Sequence, residues 1–264
     1  MTRYERNINQ VNADFTAIKN KLVESGVAVL NGTPTAKYAD KVGEVFDAGK
    51  QAEYDAFWDA KQPNKGQPNT MNGDFGGHWT LESFKPKYDI VPLSCPNLFF
   101  GNYLKIDLVE HLNSIGRKLD FSQCSNQNSA FYMSSFTHVG DVCALGGYYN
   151  VFMDCTYLVT IDEWGDAQGR EMTGNGMTTT FSGCTALENI KIKGKFANDI
   201  YFHWSTKLTR ASIESIVAAL SDNASGKKLQ LSKTAVENAF PDYTNNNDWS
   251  ALVKAHENWT INLL

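Results

Sequence analysis

The side chains best suited to metal or nucleophilic chemistry here are five cysteines (Cys95, Cys124, Cys143, Cys155, Cys184) and five histidines (His78, His111, His138, His203, His256). Their spacing supports neither. An odd cysteine count without a C-x-x-C pair makes a poor disulfide framework and a poor zinc site, so reduced, buried thiols are expected. The histidines form no H-x-x-x-H or H-E-x-x-H pair. No G-x-S-x-G or phosphate-cradling glycine motif occurs, and Gly174-Asn-Gly176 lacks a strand before it and a helix after it. The paired carboxylates Asp162 and Glu163 would suit glycoside hydrolysis. Adjacent strand residues face opposite ways, however, so the two are not expected to share a substrate. Asp242-Tyr-Thr-Asn-Asn-Asn-Asp248 spaces its oxygens like the start of a calcium loop but has Asn247 where glycine is needed and Val253 in the place of the closing glutamate. No metal, cofactor or catalytic residue is therefore expected. The remaining candidates are rings. Tyr148 and Tyr149 follow a glycine pair, Trp164 follows the acidic pair, and Tyr201, His203 and Trp204 share one strand-like run. Planar rings among Asn, Asp and Ser suit stacking on a sugar face or anchoring a protein contact.

The elements that would position these rings change character along the chain. Ile8, Val11, Phe15, Ile18 and Leu22 alternate steps of three and four, the seam of a short coiled coil through which copies could oligomerise. A second helix carries Tyr38, Val42, Val45 and Phe46, and a third carries Tyr54, Phe57 and Trp58. Residues 61–78 (KQPNKGQPNTMNGDFGGH) have the Gly, Pro and Asn content of a linker. Four segments are thus expected: helical attachment over 1–60, linker over 61–78, a repeat domain over 79–205 and its end cap over 206–264.

The repeat is a phrase. Phe152-Met-Asp-Cys155-Thr-Tyr-Leu158-Val-Thr-Ile161 matches Phe181-Ser-Gly-Cys184-Thr-Ala-Leu187-Glu-Asn-Ile190 step for step, as F-x-x-C-x-x-L-x-x-I. Looser copies begin at Phe131, with Ser134 in the cysteine slot, and at Phe99, with Asn102 there. The starts lie 32, 21 and 29 residues apart, around the period of leucine-rich repeats. One unit cannot bury its own apolar face, so several must stack. In the last segment Thr209 can cap a helix with the stripe Ile213, Ile216, Val217 and Leu220. Strands at Leu229–Leu231 and 258–263 follow. The expected class is α+β: a helical N-terminal segment, then an irregular leucine-rich-repeat solenoid closed by a helix-and-strand cap.

These phrases resemble the units of BspA-like leucine-rich-repeat proteins, and the run from Leu208 to Leu264 resembles the end cap of repeat proteins from gut bacteria and their prophages. The segment INQVNADFTAIKNKLVESGVAV is similar to the leading part of phage tail-associated proteins. The resemblance implies attachment rather than chemistry. Composition agrees: with a net charge of -5 and no basic run, the chain offers no face for nucleic acid or anionic lipid. No stretch approaches the ~20 apolar residues of a membrane span. MTRYERNINQVNADF has no apolar core after its basic residues, so no secretory leader is expected. The expected function is a non-enzymatic, phage or prophage tail-associated receptor-binding protein. It would be carried on the virion tail with other tail proteins and would meet a bacterial cell-surface glycan or protein. The alternative is a bacterial surface adhesin that binds host matrix.

Overall fold

The computed structural model of the chain describes residues 51–174 and 176–264 and divides into two compact units, residues 1–63 and 64–264. The seam of Ile8, Val11, Phe15, Ile18 and Leu22 and the helix expected over Tyr38 to Phe46 lie outside the described residues. In the first unit, residues 51–61 are helical, and Trp58 is buried with Tyr54 and Phe57 set edge-on to its ring.

The described part of the second unit contains short strands β1 (Asn69–Thr70), β2 (Pro92–Ser94), β3 (His138–Ala144), β4 (Thr160–Asp166), β5 (Glu171–Met172), β6 (Asn189–Lys193), β7 (Lys195–Phe196), β8 (Ile200–Phe202), β9 (Lys227–Leu231) and β10 (Trp259–Leu263). Helices α1 (Leu108–Ser114), α2 (Arg210–Ala218), α3 (Lys233–Ala239) and α4 (Asn247–Lys254) accompany them. Every strand pair is parallel, in four small sheets: β1-β2, β3-β4-β6, β5-β7 and β8-β9-β10. Parallel neighbours need a long connection between them, and here the turn-rich phrases supply it.

This architecture corrects the expected class. The chain is α/β rather than α+β, and the continuous leucine-rich-repeat solenoid is not found. Unequal spacing between phrases breaks the strands into sheets of two or three, and a register shift between Ile161 and Trp164 interrupts the longest. The expected linker is also built in. Thr70 pairs with Ser94 in β1-β2, and Met71 and Phe75 are buried, so residues 64–78 belong to the second unit.

The phrases stack through their phenylalanines. Phe75, Phe99, Phe131, Phe152, Phe181 and Phe202 are all fully buried. Successive rings lie 5.7, 5.0, 5.3, 5.6 and 4.3 Å apart, within 28° of parallel. Their backbones are tied as well. The amides of Phe75, Phe99, Phe131 and Phe152 donate to the carbonyls of Leu98, Ala130, Val151 and Thr180 in the next unit. The slot three residues on faces back. Asn102 Nδ2 donates to the carbonyl of Phe75 at 2.8 Å, Cys155 Sγ to that of Phe131 at 2.8 Å, and Cys184 Sγ to that of Phe152 at 3.0 Å. A small buried donor is what the slot requires, which is why Cys and Asn interchange there. Beside the ladder, Val139, Ile161 and Ile190 pair in register and are buried.

The C-terminal segment closes this end with capped helices. Thr209, Ser232 and Asn246 each accept a backbone N–H at the start of α2, α3 and α4. The Asp242–Asp248 run is therefore a capping turn. Among the described residues no group of three or more His, Cys, Asp or Glu side chains is placed to hold a metal ion.

Two substitutions test the ladder by urea unfolding. Phe152→Ala leaves a cavity between two rungs and should cost about 3–5 kcal/mol. Cys184→Ala removes one of two bonds to the Phe152 carbonyl, which keeps that from the Cys155 amide, and should cost about 0.5–1.5 kcal/mol, while Cys184→Ser, which keeps a donor, should cost less.

Candidate functional site

In each phrase the ladder phenylalanine is buried, and the residue after it is exposed or half-buried. Cross-turn bonds then align the outward residues of neighbouring phrases. The amide of Gly77 donates to the carbonyl of Phe100, that of Gly101 to Tyr132, that of Met133 to Met153 and that of Asp154 to Ser182. The result is an edge of turns that exposes Phe100 (43% exposed), Met133 and Trp204; Tyr103, Tyr149 and Tyr157 are exposed as well. Phe100 meets Tyr132 edge-on at 5.2 Å, and His78 stacks on Tyr103 at 4.6 Å. Lys105 Nζ sits 4.1 Å from the centre of the Tyr157 ring, a cation–π contact that holds the ring outward.

At the N-terminal end of this edge an open groove of about 560 Å³ is lined by Gly73, Gly76, Gly77, Asn97, Phe100, Gly101 and Tyr103. Its floor is nearly bare backbone. A Cβ on Gly76 would stand 2.5 Å from the Phe100 carbonyl oxygen, so only glycine lets the two phrases approach this closely. Two exposed rings beside a backbone floor and an asparagine give a flat apolar wall next to hydrogen-bonding groups.

The rings singled out from sequence separate. Tyr148 is 5% exposed and its hydroxyl donates to Asp166 Oδ2 at 3.2 Å. Burial, with the Asp166 charge beside it, pushes that hydroxyl well above its ordinary pKa. Asp166 is itself held low, because its bonds to Arg170 outweigh the burial that opposes its charge. Trp164 is fully buried, 4.9 Å from the Phe181 ring and 5.9 Å from that of Tyr148. Both are core residues that a partner cannot reach. Tyr149 and Trp204 are exposed, and Tyr201 and His203 are half-buried, their rings in the series Tyr201–His203–Trp204. Burial pulls the His203 pKa down. Sequence reasoning missed Phe100, Tyr103, Tyr132 and Tyr157. The signal lay in the phrase itself: its x positions are the outward ones, and Phe100 and Tyr132 stand in the first of them.

The outer face of β3-β4-β6 is charged. His138 lies between Asp107 Oδ2 and Asp162 Oδ1, 2.9 Å from each. Asp141 pairs in register with Glu163, which receives Lys191 at 2.7 Å and Lys193 at 3.4 Å. Asp162 and Glu163, expected on opposite faces, both turn outward because the strand is irregular between Ile161 and Trp164. Burial together with the charges of Glu163 and Asp162 raises Asp141, whereas the Lys191 and Lys193 ammoniums hold Glu163 low. A carboxyl pair with split proton affinities is the raw material of acid–base chemistry. Here Glu163 is already neutralised by two lysines, so the face is an ion-paired array across neighbouring strands.

No protein-family profile, characterised protein or solved structure compared with the chain matches it. Among the described residues no helix is long and apolar enough to cross a membrane.

The His138 bridge gives a pH prediction. Burial disfavours its charge, but the bonds and charges of Asp107 and Asp162 prevail, so its folded pKa lies above 6.5. The stabilisation it gives is therefore complete below 6.5 and lost as pH rises through the raised folded value. NMR titration should place the His138 midpoint above 6.5 and lower it in Asp107→Asn. A midpoint at or below 6.5 in the wild type would contradict the bridge.

Proposed function

We propose that the chain is a non-enzymatic binding protein whose ligand is a glycan of a bacterial cell surface, met by the ring-bearing edge of the second unit. The observation that carries this reading is the groove beside Phe100 and Tyr103, where two exposed rings border a glycine floor and Asn97. A pyranose ring offers an apolar face to such a wall and hydroxyls to the backbone carbonyls and the amide. The acidic balance of the chain disfavours a phosphate-rich polymer as ligand.

The place we assign this module is the tail of a phage or prophage particle. Support comes from the likeness of the N-terminal segment to phage tail-associated proteins, and from the heptad spacing of Ile8, Val11, Phe15, Ile18 and Leu22, which suits assembly of several copies. Several copies would turn a weak single-site affinity into firm attachment, because later contacts form at high effective concentration.

Binding to purified bacterial surface polysaccharides, with mucin and matrix proteins alongside, tests the reading. The double variant Phe100→Ala/Tyr103→Ala should weaken polysaccharide binding roughly tenfold or more, since each stacked ring contributes about 0.5–1.5 kcal/mol beyond its buried area. Unchanged affinity in that variant would refute the groove, and saturable binding to host matrix alone would replace the glycan with a host partner.

A further inference from the structure

Two of the five cysteines stand apart from the rest. Cys143 turns its thiol to Glu163, and Cys155 and Cys184 donate to the ladder carbonyls of Phe131 and Phe152. Cys95 and Cys124 face each other instead, with sulfurs 3.3 Å apart and both side chains fully buried. The turns that carry them are fastened on both sides. The Cys95 amide donates to the Asn126 carbonyl at 2.7 Å, and the Ser125 amide donates to the Leu93 carbonyl at 2.7 Å. The Ser125 hydroxyl binds that same Leu93 carbonyl at 2.9 Å. The two sulfurs are thus held in contact by backbone pairing on either side of them. Among the described residues no third ligand completes a metal site around the pair.

We infer that Cys95 and Cys124 form a reversible disulfide when the protein meets hydrogen peroxide, fastening the 95–124 segment at its two ends. Bond formation needs the sulfurs to close from 3.3 Å to about 2.05 Å, a movement of the order that side-chain rotation supplies. In the first step the Cys124 thiolate attacks the peroxide O–O bond. A sulfenic acid forms on Cys124, and the other oxygen leaves as water after taking up a proton. In the second step the Cys95 sulfur attacks the sulfenic sulfur. The S–S bond forms, the S–O bond breaks, and the hydroxyl leaves as water with the Cys95 proton. Two electrons pass from the two sulfurs to the peroxide. The roles follow from the surroundings. The hydrogen bond from Cys95 eases ionisation of Cys124, while burial opposes that of Cys95.

The closed loop contains α1 and the groove residues Asn97, Phe100, Gly101 and Tyr103, so the bond would limit opening of the segment that presents the proposed binding rings. The inference itself does not depend on what those rings bind. A thiol pair buried this completely is reached by peroxide only during local opening, so oxidation should be slow and should speed up in mild denaturant.

The test uses the full chain, reduced and then exposed to hydrogen peroxide, with free thiols alkylated in denaturant and counted by intact mass. All five should alkylate before treatment, and two fewer after it. Tryptic digestion without reductant should yield one peptide pair joined through Cys95 and Cys124. The apparent Tm should rise by about 5–10 °C and return on adding dithiothreitol. In Cys95→Ser the reaction should stop at a Cys124 sulfenic acid that dimedone traps. Five alkylatable thiols after prolonged peroxide, or a cross-link between other cysteines, would overturn the inference. The wild-type result decides the matter even where a serine variant folds poorly.

Discussion

Phenylalanine rings stacked face to face, each buried by the rings on either side, are the constraint on which the rest of this molecule depends. Six of them run from Phe75 to Phe202 at intervals of 4.3–5.7 Å. Burying one such side chain contributes about 1.5–3 kcal/mol, and each stacked pair adds about 0.5–1.5 kcal/mol. No rung gains this alone, because its faces are covered only when the phrases before and after are in place. The backbone bonds between phrases obey the same condition: the donor of one turn finds its acceptor in the next.

The ladder also dictates the surface. With the phenylalanine turned in, the following residue turns out, and the bonds between turns set those outward residues in rows. Phe100, Tyr132 and Met153 occupy equivalent places for this reason. Two residues past the rung the backbone turns left-handed, at Gly101, Met133, Asp154 and Gly183. Glycine meets that demand freely, and Met133 meets it at a strain cost of order 1–3 kcal/mol that the surrounding bonds must offset. Binding groups and core are thus laid down by one repeating turn.

The strong phrases were legible in the sequence because their F, C, L and I positions are all buried and none can drift. Leu158, Ile161, Leu187 and Ile190 are core residues, as their spacing implied. The outer rungs were harder to see. Phe202 leads F-x-x-S-x-x-L, with Ser205 in the slot, and Phe75 leads a run of glycines that reads as linker until its ring is found against Phe99. The sheet pattern was not legible: phrase spacing sets strand pairing, and unequal spacing yields separate parallel sheets where an even repeat would have built one. Tyr148 and Trp164 misled for a related reason. A ring next to glycines or carboxylates looks exposed, yet Asp166 receives the Tyr148 hydroxyl inside the core, and the irregularity that turns Asp162 and Glu163 outward leaves Trp164 packed within. The first unit's heptad seam lies outside the described residues and stands on its spacing alone.

Native-state hydrogen exchange of the ladder amides tests the central dependence most directly. If each rung is buried only by its neighbours, the amides of Phe99, Phe131 and Phe152 should share a single opening free energy across sub-denaturing guanidinium, close to that of global unfolding. Distinct opening energies, with one phrase exchanging freely while the next stays protected, would show that the phrases stand independently and would contradict the account.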